Sequence, residues 1–102
     1  MGKYVFAYRG GGMAATEEEQ GKAMQAWQAW MGELGDSLLD VGNPFAGSTA
    51  VTVGGANGTA GSGLTGYSIV NASSLDDAAA KTRGCPIFAT GGSVDVYEAI
   101  AM

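Results

Sequence analysis

Lys3-Tyr4-Val5-Phe6-Ala7-Tyr8-Arg9, then Thr16-Glu17-Glu18-Glu19 leading to Leu34-Gly35, is the stretch whose reading decides the fold. The first segment is rich in β-branched and aromatic residues. Tyr4, Phe6 and Tyr8 share one strand face, while Lys3, Val5, Ala7 and Arg9 share the other. In the second, Thr16 can cap a helix with Glu19 at the capping-box position. The three glutamates suit the positive end of the helix dipole. Met24, Trp27, Met31 and Leu34 recur at helical spacing, and Trp30 widens that apolar stripe. Gly35 supplies the stop. A strand followed at once by an amphipathic helix sets an α+β reading for the whole chain.

Downstream, Ser37 to Val41 reads as a short strand and Gly42-Asn43-Pro44-Phe45 as a turn. Ser48 to Val53 is a second β-rich run, and Gly54 to Gly63 a mobile surface loop. Thr65 to Asn71 is the next strand. Ser74 caps a second helix with Asp77 at the box position. Leu75, Ala78, Ala79 and Thr82 form its narrow packing face, and Gly84 and Pro86 end it. Ser93 to Ile100 closes the chain as a strand alternating through Val94 and Val96. The order strand, helix, strands, helix, strand fits a ferredoxin-like βαββαβ unit with an antiparallel sheet. Helices would cover one face. The other face is expected to carry residues such as Tyr or Phe, with a second copy of the chain as their cover, hence a homodimer.

With 102 residues, the chain is read as one domain spanning 1–102. Its net charge is −5, and Lys3, Arg9, Lys22, Lys81 and Arg83 are scattered, so neither nucleic acid nor an anionic membrane is expected as a partner. No apolar run approaches the roughly 20 residues of a membrane span. The opening leads straight into a strand-like run with no signal-peptide pattern, and one cysteine excludes an internal disulfide. A cytoplasmic setting is the expectation. Histidine is absent, which removes the commonest general base and metal ligand. No cofactor and no metal is expected.

These elements resemble the YCII-related family, and more closely its DGPF-type branch. The resemblance runs over nearly the whole chain. It is carried by Lys3 to Arg9, by the Gly42-Asn43-Pro44-Phe45 turn after a short strand, and by Gly92-Ser93-Val94-Asp95-Val96. The family turn reads Asp-Gly-Pro-Phe or Gly-Pro followed by an apolar residue; here Asn43 separates Gly42 from Pro44. In the last strand Asp95 stands for the family's acid, Tyr97 for its arginine and Glu98 for its proline. The resemblance implies a dimeric α/β barrel, two ferredoxin-like subunits whose sheets face each other around a central pocket. Some members carry a His-Asp pair there, and this sequence has no counterpart to it. The resemblance also implies a link to transcription regulators, since DGPF-type proteins often accompany alternative sigma factors.

Candidate chemistry is sparse. Gly10 to Ala15 fits G-x-G-x-x-A between strand and helix, yet Glu17, Glu18 and Glu19 would repel a pyrophosphate there, so it reads as a turn. Gly61 to Gly66 fits G-x-G-x-x-G but precedes a strand. Cys85 follows a helix end with no base at hand and reads as a buried, inert thiol. Trp27 and Trp30 read as packing in preference to pocket lining. Asp36 reads as a solvated turn residue, Asp40 as a structural hydrogen-bonding group. The ligand-binding candidates are Tyr8, Arg9, Asp40, Tyr67, Asp95 and Tyr97, polar or amphipathic groups on or beside strands. If their faces line the inter-subunit cavity, they form a tyrosine-rich pocket for a small molecule. Equally, the tyrosines fill a dimer interface. Three functions stand side by side: a small-molecule binding module, a lyase or isomerase using carboxylate and tyrosine proton transfer, and an accessory protein to a transcription regulator.

Overall fold

β1, Gly2–Arg9, runs through the middle of the sheet because both of its edges find antiparallel partners. β5, Leu64–Ala72, lies on one side and β6, Ser93–Ala99, on the other. β2, Leu38–Asp40, completes the sheet beyond β5, giving the order β2-β5-β1-β6. Helix α1, Glu17–Leu34, connects β1 to β2, and α2, Leu75–Lys81, connects β5 to β6. This α+β arrangement is compatible with the ferredoxin-like fold. The computed structural model describes residues 2–10, 16–56, 58 and 63–100. Among them, no helix is long and apolar enough to cross a membrane.

The caps form as their residue types dictate. Thr16 Oγ1 accepts from the Glu19 N–H at 3.1 Å, and Ser74 Oγ accepts from the Asp77 N–H at 3.0 Å. Asp77 in turn accepts from the Ser73 N–H and hydroxyl, and those bonds hold its carboxyl below the usual range. At Gly35, the N–H returns to the Met31 carbonyl and ends α1. A 3-10 turn, Pro86–Thr90, then carries buried Ile87 onto the helix side of the sheet.

Strand parity divides the faces as expected, and the register fixes which face meets the helices. Tyr4, Phe6 and Tyr8 lie beneath the helices, packed with Trp30, Leu34, Val70, Ala72, Ala78, Cys85 and Ile87. Phe6 is opposite Ser68 on β5 and Val96 on β6, so the register sends Val94 and Val96 to the same side. The uncovered face carries Val5, Ala7 and Arg9 of β1, Tyr67 and Ile69 of β5, and Asp95 and Tyr97 of β6. The physical reason is area: the aromatic row buries far more surface against α1 than Val5 and Ala7 would.

Three expectations are corrected. Met24 belongs to the helical stripe by spacing but is exposed, since α1 touches the sheet only through its last turns, with Trp30 and Leu34 buried and Trp27 and Met31 half-buried. On α2 only Ala78 is buried, while Leu75 and Ala79 face outward. Of the run Ser48 to Val53, only β3, Val51–Thr52, is a strand, paired with β4, Gly55–Ala56, in a separate hairpin. The supposed loop Gly54 to Gly63 thus contains β4, and its residues 57 and 59–62 lie outside the described residues.

The turn after β2 is clamped to β5. Phe45 N–H donates to the Thr65 carbonyl at 2.8 Å, Tyr67 N–H donates to the Asn43 carbonyl at 3.3 Å, and Pro44 bridges Gly66. Gly42 sits at φ 77°, where a Cβ would lie 1.7 Å from the Tyr67 carbonyl oxygen. Only glycine satisfies both the left-handed backbone and that approach. Gly42→Ala is therefore expected to lower stability by about 2 kcal/mol or more, measured as a fall in the thermal or urea midpoint. An unchanged midpoint would show that the turn does not depend on this contact.

Candidate functional site

Parity and register divide the sequence-derived candidates between two faces. Tyr8 points under α1, whereas Arg9, Tyr67, Asp95 and Tyr97 share the open face. Ala7 is opposite both Tyr67 and Asp95, which places these two side chains in one row across the sheet. Tyr8 and Asp95 cannot therefore line one pocket within a subunit. Asp40 joins neither group. It sits exposed at the end of β2, and its Oδ1 accepts from the Gly42 N–H at 2.9 Å, helping to shape the turn.

On the open face, Arg9 Nε donates to Asp95 Oδ2 at 2.5 Å. This bond holds the guanidinium above its usual pKa, with a further contribution from hydrogen bonding to Tyr97. Both charged groups are more than a third exposed, so the pair contributes little stability by itself. Beside them lie half-buried Val5 and Ile69, with Ala7 already covered. The Tyr67 ring stacks on Phe45 with centroids 5.9 Å apart. The result is a mainly apolar sheet surface with one internally neutralised ion pair.

Under α1 the geometry differs. The helix is anchored at its C-terminal end and stands away from the sheet at its N-terminal half, opening a cleft of about 830 Å³. Trp27 and Met31 form one wall, Val41 and Pro44 the opposite wall, and Tyr8 and Ile87 contribute to the floor. The floor is held by contacts between aromatic edges and faces. Tyr8 meets Trp27 edge-on at 5.2 Å, and Trp27 meets Trp30 edge-on at 5.6 Å. Trp30 stacks on Phe6 at 6.1 Å.

The floor's polar groups satisfy one another. Tyr8 donates its hydroxyl to Ser68 Oγ at 2.8 Å, and Ser68, fully buried, donates to the Val41 carbonyl at 2.6 Å. Burial pushes the Tyr8 phenol up to about 12, although the Ser68 bond acts to lower it. Thr65 Oγ1 reaches the carbonyls of Tyr8, at 3.3 Å, and Gly10, at 3.2 Å. The Gly10 to Ala15 motif otherwise lies outside the described residues, as do residues 61 and 62 of the second glycine motif. Cys85 is buried, and burial pushes its thiol up, which disfavours the thiolate. Among the described residues no three His, Cys, Asp or Glu side chains gather as metal ligands.

The cleft is a feature that the sequence did not announce. Trp27 and Met31 were legible as an apolar stripe, yet a stripe that meets a sheet directly and one that walls a gap have the same periodicity. A usable signal lay in Gly21, Ala23 and Ala26, whose short side chains leave the N-terminal half of α1 with little to bury. Neither a family model nor a curated protein matches the chain.

Tyr8 gives a pH test of this geometry. Its folded pKa lies above the value of about 10 for a free tyrosine, so the folded state holds a proton that the unfolded chain releases. That contribution is fully present below about pH 10 and is lost as pH rises from there through about 12. Urea denaturation across this window should show stability falling more steeply in the wild type than in Tyr8→Phe. Parallel curves for the two proteins would contradict a buried phenol.

Proposed function

We propose that this chain is a small-molecule binding module that works as a homodimer, with its ligand held beneath α1 in each subunit. The observation that carries the binding reading is the cleft. Its volume falls in the range of about 300–1,000 Å³ typical of ligand sites, and its walls are apolar with few polar groups. A floor whose hydroxyl groups already pair with protein acceptors is preformed, so a ligand meets little reorganisation cost.

The dimer reading is supported by the open sheet face, where Val5 and Ile69 are flanked by Tyr67 and Tyr97. Among the described residues no helix covers this side, and a second copy is the simplest cover. Such an arrangement is the dimeric α/β barrel of the YCII-related family, DGPF-type branch. The clamped Gly42-Asn43-Pro44-Phe45 turn supports that assignment. In the barrel, Arg9, Asp95 and Tyr97 would face the partner subunit.

Proton-transfer chemistry is less favoured by this geometry. A carboxylate-tyrosine couple needs both groups at one substrate, but among the described residues no carboxylate lines the cleft of Tyr8. Asp95 and Tyr97 do share a face, yet Asp95 is engaged by Arg9.

Two measurements test the reading. Sedimentation equilibrium at micromolar concentration should give about twice the 10.2 kDa chain mass, and Val5→Asp or Ile69→Asp should return the monomer. A wild-type monomer would refute the dimer and leave the cleft standing. For the ligand, a thermal-shift screen of small acids, aromatics and metabolites should yield stabilisers whose effect disappears in Ala26→Phe, which fills the cleft. Stabilisation that survives Ala26→Phe but disappears in Asp95→Asn or Tyr97→Phe would move the site to the inter-subunit face.

A further inference from the structure

The chain carries ten acidic and five basic residues, so an arbitrary concave surface on it should collect carboxylates. The cleft does the reverse. Among the described residues that line it, Lys22 is the only charged side chain. Its ammonium lies at the rim, 3.7 Å from Glu18 one helical turn earlier, and both side chains are highly exposed. An exposed pair of that kind is weak and readily exchanged for another anion.

Among the described residues, the other side chains that could donate include the exposed amides of Gln28 and Asn43, and the buried hydroxyl groups are already engaged. The hydroxyl protons of Tyr8, Ser68, Thr65 and Thr90 are all directed at protein acceptors. A ligand group buried against that floor must therefore be apolar, or lose its water without gaining a donor. Its polar end belongs at the rim, where the fixed charge is positive.

We propose that the cleft takes a monocarboxylate with a continuous apolar body, the body against Trp27 and Met31 and the carboxylate at Lys22. This rests on the binding reading of the same cleft and adds the ligand's chemical class and orientation. A dicarboxylate or a phosphorylated sugar fits poorly, because the second charge or the hydroxyl groups would be buried unpaired. A cationic amphiphile meets Lys22 at the one place where its head can remain hydrated.

The test uses three probes with the same ten-carbon chain: decanoate, decanol and decylammonium, each below its micelle concentration. Trp27 and Trp30, the only tryptophans, report on the cleft by fluorescence. Decanoate should bind about threefold tighter than decanol, and decylammonium weakest, as expected for one rim charge. Lys22→Gln should remove the decanoate advantage and leave decanol affinity unchanged, whereas Lys22→Arg should retain it. Equal affinities for the three probes, or a decanoate advantage that survives Lys22→Gln, would overturn the carboxylate assignment and leave an apolar cleft. If none of the probes binds, or if all bind Ala26→Phe as well as wild type, the cleft itself is not the site and the proposal fails with it.

Discussion

The packing of Trp30 against β1 is the contact on which the helix side of the molecule depends. Trp30 is almost completely buried, stacks on Phe6, and meets Tyr8 and Trp27 edge-on. Its indole N–H donates to the Lys81 carbonyl at 3.3 Å, tying α1 to the last residue of α2. One side chain thus joins both helices to the central strand. Burying an aromatic residue of this size contributes on the order of 4 kcal/mol gross, several times the net value of the hydrogen bond. The apolar contact therefore sets where α1 lies, and the hydrogen bond sets how α2 meets it.

That anchoring also determines what is left uncovered. Once Tyr4, Phe6 and Tyr8 are committed to the helices, alternation sends Val5, Ala7 and Arg9 to the opposite side. Because β1 is paired on both edges, its parity dictates the parity of β5 and β6. Tyr67, Ile69, Asp95 and Tyr97 follow Arg9 without independent choice. A one-residue slip of β1 would exchange the two faces, bury Arg9 under α1 and expose Phe6. The Arg9–Asp95 pair contributes little energy where it stands, but its burial in such a slip would be costly, so it disfavours the wrong register.

Much of this was legible in the residues. Thr16, Gly35 and Ser74 act locally, through bonds to neighbours within a few positions, and the structure forms the caps and stops that they announce. The strands containing Tyr8, Tyr67 and Asp95 were equally clear from their alternation. Which face of each strand meets the helices was not, because alternation is symmetric until a partner is fixed. The expectation that residues such as Tyr or Phe would lie on the uncovered side holds for Tyr67 and Tyr97, while the β1 row of Tyr4, Phe6 and Tyr8 packs under the helices instead. Met24 shows a separate limit of periodicity: spacing assigns it to the stripe, but contact with the sheet begins only at Trp27, about one turn later along α1. The β-rich run at Ser48 to Val53 failed for a related reason. After Pro44 bridges Gly66, the chain has left the sheet, and β-propensity alone cannot return it.

The cleft follows from the same asymmetry. A helix held at one end diverges from a twisted sheet toward its other end unless side chains fill the widening gap. In α1 the positions that would do so include Ala23 and Ala26, while β5 contributes Gly66 and Ser68. Small residues on both sides leave the space open, and it is bounded by the side chains that do reach across, Trp27 and Met31 from the helix and Tyr8 from β1. Gly66 is small for a second reason, since a Cβ there would press on the Asn43 carbonyl oxygen at 3.1 Å and on the clamped turn. The residues that let the turn pack against β5 are thus the ones that keep the neighbouring wall thin. The void cannot be closed by enlarging Gly66 without displacing the turn. Filling it from the helix would require a larger residue at Ala23 or Ala26. Neither position is constrained by the core, since both side chains are exposed, so packing does not impose their smallness.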